Sequence, residues 1–510
     1  MSSSIRDVVE DFAKGVFTLF IGNATSSMLL AVSSIIIARL IGPDGLGLYA
    51  LSLAYPSIIV GLIDLGINPA ITYYSTKLRV DGRGDLLSNM IRSAYLNRLG
   101  VGVAGAAFSF LASDYVAALL NRAEVSVYIK VASLIVVVQS AFNLNNSAFL
   151  GLDKISSYSI SLIIQSVAKM VLAPLLILAG LGVMGALLGH VSSYLLTSII
   201  SSLIIYNFLA TLGKPSRSSV TESLKIMIRY GFPLYLSSVI GVIIGQLRTL
   251  ILAFFASNAE IGNFNVVLTL SSMMNILILP LSVLFPAFSK LKDESEIRMM
   301  FTLCVKYASL FMIPATVAVM VLSKEIIYTL YGRAFELAPH FLTLYMIQFL
   351  YVTGGLIVLT YLFTGVGKTS IIFRSEVIDI CVFLPLATLL AMHYKVEGVI
   401  IATLISYLAA SIYRLLAAIN HFKVSIDYKA SFLIVSAALL AALPTLAFLT
   451  LRLDNLISLL IGVAIYFATY ITLLPLLRAL DENDVENLNQ ILSKLDSLWP
   501  ISKPILNYID

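Results

Sequence analysis

Polar side chains inside long apolar runs are the residues of this sequence that could do chemistry. Arg248 lies deep in one such run, and Ser237, Gly241 and Gly245 fall on the same helical face. If the run crosses a membrane, an arginine near its centre costs roughly 2.5–3.5 kcal/mol unless it pairs, reaches the interface or lines a wet cavity. We predict that Arg248 faces a cavity and binds an anion, with a structural ion pair as the alternative.

Two further polar stripes recur at helical spacing. The first consists of Ser161, Gln165 and Lys169. The second consists of Gln139, Asn143 and Asn146. Side chains three or four residues apart share one face of a helix, so each stripe suits the wall of a substrate cavity. Hydrogen bonding between packed helices explains the second stripe at least equally well.

Carboxylates inside the apolar runs are candidates for ion coupling. Asp64 could bind a coupling ion, H+ or Na+, or pair with a nearby cation. Glu376 and Asp379 are one helical turn apart, and the adjacent Arg374 could neutralise one of them. Arg39 lies near the end of a run, where a long cationic side chain normally reaches the interface.

Motifs for cofactors and metals are not convincing. Residues 365–370, GVGKTS, imitate a phosphate-binding loop, but position 362, where that loop has glycine, is Leu362. The two cysteines, Cys304 and Cys381, lie alone in apolar stretches, and the four histidines are scattered. We expect no cofactor, no metal and no enzymatic activity.

The composition identifies the solvent that surrounds these residues. The chain of 510 residues is 59% hydrophobic and 12% charged, whereas a soluble domain is about 25% charged. Such a chain must be covered largely by lipid, and its net charge of +5 is too diffuse to indicate nucleic acid. In lipid the backbone must satisfy its own hydrogen bonds, so the apolar runs must be helices. We predict an all-α integral membrane protein.

Fourteen runs are long enough to cross a bilayer, which takes about 20 residues. They are residues 16–39, 47–70, 94–113, 125–150, 158–179, 182–209, 231–256, 262–288, 302–323, 340–363, 375–392, 397–418, 430–451 and 455–477. With the N-terminus inside, 24 lysines and arginines fall in inner segments and 6 in outer segments. The positive-inside rule therefore places both termini in the cytoplasm of a cell-membrane protein.

Internal repeats divide the chain further. Residues 38–49 parallel residues 253–264, and residues 151–156 parallel residues 365–370, at nearly the same offset. These blocks predict two six-helix repeats of the same topology. The predicted domains are an N-terminal lobe (1–210), a C-terminal lobe (211–425), two additional helices (426–480) and a cytoplasmic amphipathic tail (481–510).

Three motifs resemble one known family. Residues 38–49, ARLIGPDGLGLY, residues 64–66, DLG, and residues 284–289, LFPAFS, look like those of the polysaccharide-transporter flippases, within the multidrug/oligosaccharidyl-lipid/polysaccharide exporter superfamily. The resemblance implies two lobes around a central cavity, two extra helices and alternating access. It also implies a substrate, an oligosaccharide carried on polyprenyl phosphate or pyrophosphate.

Two other functions remain open. A multidrug/cation antiporter of the same superfamily would share the lobes, but should favour carboxylates over buried cations. A membrane glycosyltransferase or polymerase should carry large outer loops with catalytic carboxylates. We expect the partners to be the lipid-linked glycan, membrane lipid and a coupling ion.

Overall fold

The computed structural model describes residues 3–211, 219–278 and 293–480, together with Phe288, Leu291 and Asp484. Within these residues the chain is built from α-helices joined by short turns, and it forms no β-strand. In chain order, the helices are α1 (Ser3–Leu62), α2 (Ile67–Val80), α3 (Gly84–Leu119), α4 (Val125–Ala132), α5 (Ile135–Gly151), α6 (Ile155–Leu176), α7 (Gly182–Thr211), α8 (Val220–Phe255), α9 (Asn258–Ile278), α10 (Glu294–Val321), α11 (Ser323–Leu330), α12 (Ala338–Leu350), α13 (Val358–Gly365), α14 (Thr369–Phe422), α15 (Tyr428–Leu449) and α16 (Asn455–Leu476).

The longest helical segments are interrupted. Gly42 breaks α1 with φ 69° and ψ −179°, and Lys395 breaks α14 with φ 45°. A turn of π-helix, Ile177–Leu181, joins α6 to α7, and Gly180 within it has φ 92°. Among the described residues, nine helical segments are long and apolar enough to cross a membrane, or ten if the bent pair α12–α13 is one span.

The helices expose apolar side chains and bury small polar ones. Leu111 is 78% exposed and Leu178 is 74% exposed, whereas Ser109, Ser113 and Thr197 are buried. This is the reverse of a soluble protein. Lipid solvates the leucines, while serine and threonine let helices approach closely and satisfy their hydroxyls by hydrogen bonding. The Ser109 Oγ to Ser133 Oγ distance, for example, is 2.8 Å.

Two compact units make up the chain. The first unit comprises Met1–Met273 and Ala387–Val399, and the second comprises Met274–Leu386 and Ile400–Asp510. In the first, α6 packs between α1 and α7, while α5 packs against α2, α3 and α7. In the second, α15 packs against α10 and α16. The lobes and boundaries expected from the repeats stay a prediction.

Two sequence-based expectations fall mainly outside the described residues. Of the tail at 481–510, the structure describes Asp484, whose buried carboxylate pairs with the Lys306 ammonium of α10. Of the family-like segment at 284–289, it describes Phe288, which is buried.

Candidate functional site

A sharp turn between α1 and α2 positions the first candidate carboxylate. Leu65 and Gly66 adopt left-handed backbone conformations there, with φ 51° and φ 80°. A Cβ atom on Gly66 would lie 2.2 Å from the carbonyl carbon of Gly231 in α8, which any residue other than glycine would collide with. The turn therefore depends on a close approach of two backbones, and it places Asp64 beside α3.

Asp64 forms an ion pair with the buried Arg98 of α3. Arg98 Nη2 lies 2.7 Å from Asp64 Oδ1 and donates a second hydrogen bond of 3.0 Å to Asn68 Oδ1. The side chain of Arg98 is 3% exposed and that of Asp64 is 19% exposed. Removing one partner of a buried pair leaves an uncompensated charge, which costs roughly 3–5 kcal/mol. The two residues must therefore be treated as a unit.

The Asp64–Arg98 pair lines a cavity of about 450 Å³ in the first unit. Its remaining polar wall is formed by hydroxyl and amide side chains of α1, α2, α5 and α8. These are Ser57, Asn68, Gln139, Asn143, Tyr235, Ser238 and Gln246. We call this space the Arg98 cavity. The α8 residues that line it recur at helical spacing along one face of that helix.

Unused hydrogen-bonding groups remain at the Arg98 cavity. Arg98 Nε and Gln139 Oε1 are both buried without a hydrogen-bond partner in the structure. Buried polar groups normally find partners, so an orphaned donor and acceptor around one cavity indicate that water or a ligand satisfies them. The arrangement suits a polar ligand that carries both hydrogen-bond acceptors and donors.

The predicted cavity residues do not all line this space. Asn143 lines the Arg98 cavity, together with Gln139 from the same stripe. Asn146 is buried and accepts a hydrogen bond of 2.5 Å from Ser161 of α6. Gln165 is buried and donates one of 3.3 Å to Ser193 of α7. These last two side chains tie helices together.

Lys169 lies in an aromatic cluster of the first unit. Its Nζ lies 5.9 Å from the centroid of the Tyr49 ring, a distance at which the ring face attracts a cation. The Tyr49 hydroxyl is 2.5 Å from His190 Nδ1, and the His190 and Tyr194 rings are in contact. Lys169 is not among the described residues that line the Arg98 cavity.

Arg248 and Arg39 occupy other positions. Arg248 is half-buried in α8, outside the face of that helix that lines the Arg98 cavity. Gly241 and Gly245, on the face predicted to lead to Arg248, border open space, since an added Cβ would meet no atom within 4 Å. Arg39 is exposed.

Glu376 and Asp379 lie near a buried arginine of the second unit. Both carboxylates of α14 interact electrostatically with Tyr407, and Arg414 acts on Glu376 and on Tyr407. Arg414 Nη1 donates to Thr360 Oγ1 at 2.8 Å, and its guanidinium lies 5.6 Å from the centroid of the Tyr407 ring. Arg374, the neighbour in sequence, is exposed.

Sequence reasoning missed Arg98 and Arg414 as site residues. Both were counted among the inner cytoplasmic cations, whereas the structure buries both within helices, at 3% and 4% exposure. The predicted third span, 94–113, already contains Arg98 near its start, and α3 begins ten residues earlier, at Gly84, so Arg98 lies well inside a helix of 36 residues. The available signal was the absence of any helix breaker between Gly84 and Arg98.

Comparisons with known proteins show which family the chain belongs to. Residues 12–292 match the family described as "Polysaccharide biosynthesis protein". The lipopolysaccharide biosynthesis protein WzxC of Escherichia coli (strain K12) is 24% identical over 365 residues, which cover 69% of this chain and 70% of WzxC. These findings confirm the predicted resemblance to polysaccharide-transporter flippases.

Solved structures share the fold. The lipid II flippase MurJ in an inward closed conformation superposes with a TM-score of 0.73 at 16% identity, covering 89% of this chain and 97% of MurJ. An inward-facing multidrug resistance MATE family transporter of the MOP superfamily gives 0.67 at 16% identity, covering 78% and 94%. They confirm the expected all-helical, multi-pass membrane architecture. The chain therefore belongs to the polysaccharide biosynthesis protein family, and it has the fold of solved flippases and MOP-superfamily transporters.

Proposed function

We propose that this protein is a flippase that moves an oligosaccharide linked to polyprenyl phosphate or pyrophosphate across the cell membrane by alternating access. Its product would feed polysaccharide biosynthesis or glycosylation. The observation that carries the proposal is the Arg98 cavity, a polar space inside a lipid-exposed helical protein that retains an unused guanidinium donor and an unused amide acceptor. Sugar hydroxyls donate and accept, and phosphate oxygens accept from arginine.

The family and the named relatives support this substrate class. The matched family is named for polysaccharide biosynthesis, WzxC for lipopolysaccharide biosynthesis and MurJ for flipping lipid II. The first two names refer to polysaccharide or lipopolysaccharide, and the third refers to the flipping of a lipid. The antiporter alternative is less well supported, because the cavity presents arginine as well as a carboxylate.

Helix lengths support fourteen spans. The helical segments Thr18–Leu62, Ile155–Thr211 and Thr369–Phe422 contain 45, 57 and 54 residues, and one span takes about 20. Counting each as two raises the nine spans to twelve, and the bent pair α12–α13 makes thirteen. Helix α9 begins the predicted span 262–288 and supplies the fourteenth.

Glycine contacts support a duplicated architecture. A Cβ atom on Gly47 would lie 1.8 Å from the carbonyl oxygen of Asn258, and one on Gly262 would lie 1.9 Å from that of Pro43. At the offset of 215 residues, Gly262 corresponds to Gly47 and Asn258 to Pro43. The two contacts are therefore exchanged by the repeat, as expected for parallel repeats around a two-fold axis.

The positive-inside count supports cytoplasmic termini. Removing the buried Arg98 and Arg414 lowers the inner count from 24 to 22, against 6 outside. The bias that sets orientation is thus preserved. Cysteines introduced at Ser257 and Lys395 should react with an impermeant thiol reagent from outside, and one at Arg217 should not.

The Asp64–Arg98 pair provides a way to couple substrate binding to the uptake of an ion. An entering phosphate would compete with Asp64 for the Arg98 guanidinium, because both are anions that accept its hydrogen bonds. Asp64 released from Arg98 could then take up a proton or Na+. Arg248 and Lys169, which do not line this cavity, stay proposed as further cations that attract the phosphate.

Deletion of the gene tests the function directly. A lipid-linked glycan should accumulate on the cytoplasmic side of the membrane, and expression of the wild-type protein should clear it. If the glycan still reaches the outer face at the normal rate, while susceptibility to cationic drugs rises, the flippase assignment is wrong and the antiporter is favoured.

A further inference from the structure

A second cavity, of about 540 Å³, lies in the second unit. It is formed by the short helix α11, by the turn that follows it and by the loop that joins α15 to α16. The charged residues of its wall are Lys324, Glu325, Arg333 and Arg452. We call it the basic cavity. Nothing in the proposed transport cycle uses it.

The charges of the basic cavity are unbalanced. Three cations face one carboxylate, and within the described part of the chain none of the four side chains forms an ion pair. Lys324 Nζ lies 5.9 Å from the centroid of the Tyr328 ring. Like charges that converge on one space repel each other, so an anion bound between them lowers their energy.

Glu325 adds a second requirement. Its Oε2 atom is buried and has no hydrogen-bond partner in the structure. A buried carboxylate oxygen without a donor is unfavourable, so the occupant of the cavity should supply one. A simple anion does not satisfy this condition. A phosphate that carries a hydroxyl-bearing substituent satisfies both the cations and Glu325.

The apolar rim shows where the rest of the ligand would lie. The wall of the cavity includes Leu449 and Leu453, at the ends of the α15–α16 hairpin. Along the hairpin, Leu443 is 60% exposed and Leu460 is 63% exposed, as expected for side chains that face lipid. A polar cavity at the end of a lipid-facing hairpin is placed where a head group meets its acyl chains.

We propose that the basic cavity binds the phosphate head group of an anionic lipid. Lys324, Arg333 and Arg452 bind the phosphate oxygens, and Glu325 accepts a hydrogen bond from a head-group hydroxyl. The lipid is either a bilayer lipid with a hydroxyl-bearing head group, such as phosphatidylglycerol, or a polyprenyl phosphate carrier with a sugar attached, whose hydroxyls meet the same requirement. The site goes beyond the proposed function, because lipid would bind here whichever substrate is moved.

Native mass spectrometry of the full-length protein tests the site. Lipid retention would be compared among phosphatidylglycerol, glycosylated polyprenyl phosphate and phosphatidylcholine, for the wild type and for the triple variant Lys324→Gln, Arg333→Gln, Arg452→Gln. Each contact between a cavity cation and the phosphate contributes about 1 kcal/mol, or roughly fivefold, so the triple variant should lose on the order of 100-fold in retention of an anionic lipid. Phosphatidylcholine retention should not change.

Three exposed cations outside the basic cavity provide the matched control. The variant Arg374→Gln, Lys423→Gln, Lys429→Gln removes the same charge and should retain anionic lipid like the wild type. If the triple variant of the cavity misfolds, the three single variants, each with a loss of about fivefold, replace it. Glu325→Gln should weaken the preference for phosphatidylglycerol over phosphatidic acid, which lacks the head-group hydroxyls.

Comparing the lipids in this experiment distinguishes the two possible ligands, a bilayer lipid and the polyprenyl carrier. If the triple variant loses retention of both phosphatidylglycerol and glycosylated polyprenyl phosphate, the cavity is a general anionic-lipid site. If it loses retention of glycosylated polyprenyl phosphate alone, the cavity is a carrier site. Equal retention of both lipids by the triple variant and the wild type would overturn the proposal. Because retention is measured without transport, a failure here leaves the flippase function untouched, and a protein that does not flip glycans can still show the site.

Discussion

Arg98 of the first unit and Arg414 of the second are both buried in helices, but their surroundings differ. Arg98 is 2.7 Å from the carboxylate of Asp64 and borders a cavity. Arg414 donates to the hydroxyls of Thr360 and Ser411 and lies over the Tyr407 ring, with Glu376 acting on it only through its field. The comparison shows two ways to bury a cation among lipid-exposed helices.

The difference indicates different roles. Both Nη atoms of Arg414 donate to hydroxyls and its guanidinium lies over an aromatic face, as expected for a residue that joins helices, and its Nε is buried without a hydrogen-bond partner, like that of Arg98. A guanidinium shared between a carboxylate and an open cavity can exchange that carboxylate for another anion. We therefore expect Arg98 to act in transport and Arg414 to act in stability.

Arg98→Ala should have the largest effect. It leaves Asp64, which is 19% exposed, without its cation, at a cost of up to roughly 3–5 kcal/mol, and it removes the proposed phosphate contact. The melting temperature in detergent and the rate of transport of lipid-linked glycan should both fall.

The double variant Asp64→Ala, Arg98→Ala separates the two contributions. It should regain much of the lost stability while transport stays at least about tenfold below that of the wild type, the effect of one charge-assisted hydrogen bond. Full recovery of transport in the double variant would show that the pair has only a structural role, as we expect for Arg414.

Arg414→Ala should have the second-largest effect, and it should lower stability without changing transport. Loss of hydrogen bonds from a charged donor costs roughly 1.5–3 kcal/mol, whereas Arg414→Lys keeps the charge and loses less. Transport per correctly inserted molecule should stay at the wild-type rate. A transport defect in Arg414→Lys at normal thermal stability would mean that the second unit also contains a cation that takes part in transport.

Gln139→Leu should have a smaller effect, confined to transport. It removes the unpaired acceptor of the Arg98 cavity without breaking a hydrogen bond inside the protein. One ligand hydrogen bond is worth about 1 kcal/mol, so apparent substrate affinity should fall roughly fivefold. Gln165→Leu is the matched control: it breaks the bond to Ser193, so it should lower the melting temperature and leave affinity unchanged. The opposite pattern would exchange their roles.

Lys395→Ala should have the smallest effect. Lys395 Nζ lies 3.0 Å from Glu260 Oε1, but its side chain is 55% exposed. Such exposed pairs contribute about 0–1 kcal/mol, so unfolding and transport should remain close to wild type. A loss as large as that of Arg98→Ala would show that exposure does not distinguish these pairs.

Sequence reasoning predicted the fold class because lipid imposes helices on long apolar runs, and it predicted the family from its short motifs. Helical spacing placed Gln139 and Asn143 on the face that lines the Arg98 cavity. The same spacing could not show that Asn146 and Gln165 meet Ser161 and Ser193, because it defines a face and not its neighbour. Arg98 was missed because its partners lie about 30 residues earlier in the chain and beyond a turn, where no local pattern connects them.

Reconstitution in vesicles tests the central claim most directly. Purified wild-type protein, the double variant Asp64→Ala, Arg98→Ala and Arg414→Lys would be compared for the rate at which a fluorescent polyprenyl-pyrophosphate oligosaccharide crosses the bilayer. We expect rapid crossing with the wild type and Arg414→Lys, and crossing at least about tenfold slower with the double variant. Crossing at the wild-type rate without Asp64 and Arg98, or no crossing with the wild type, would contradict the account.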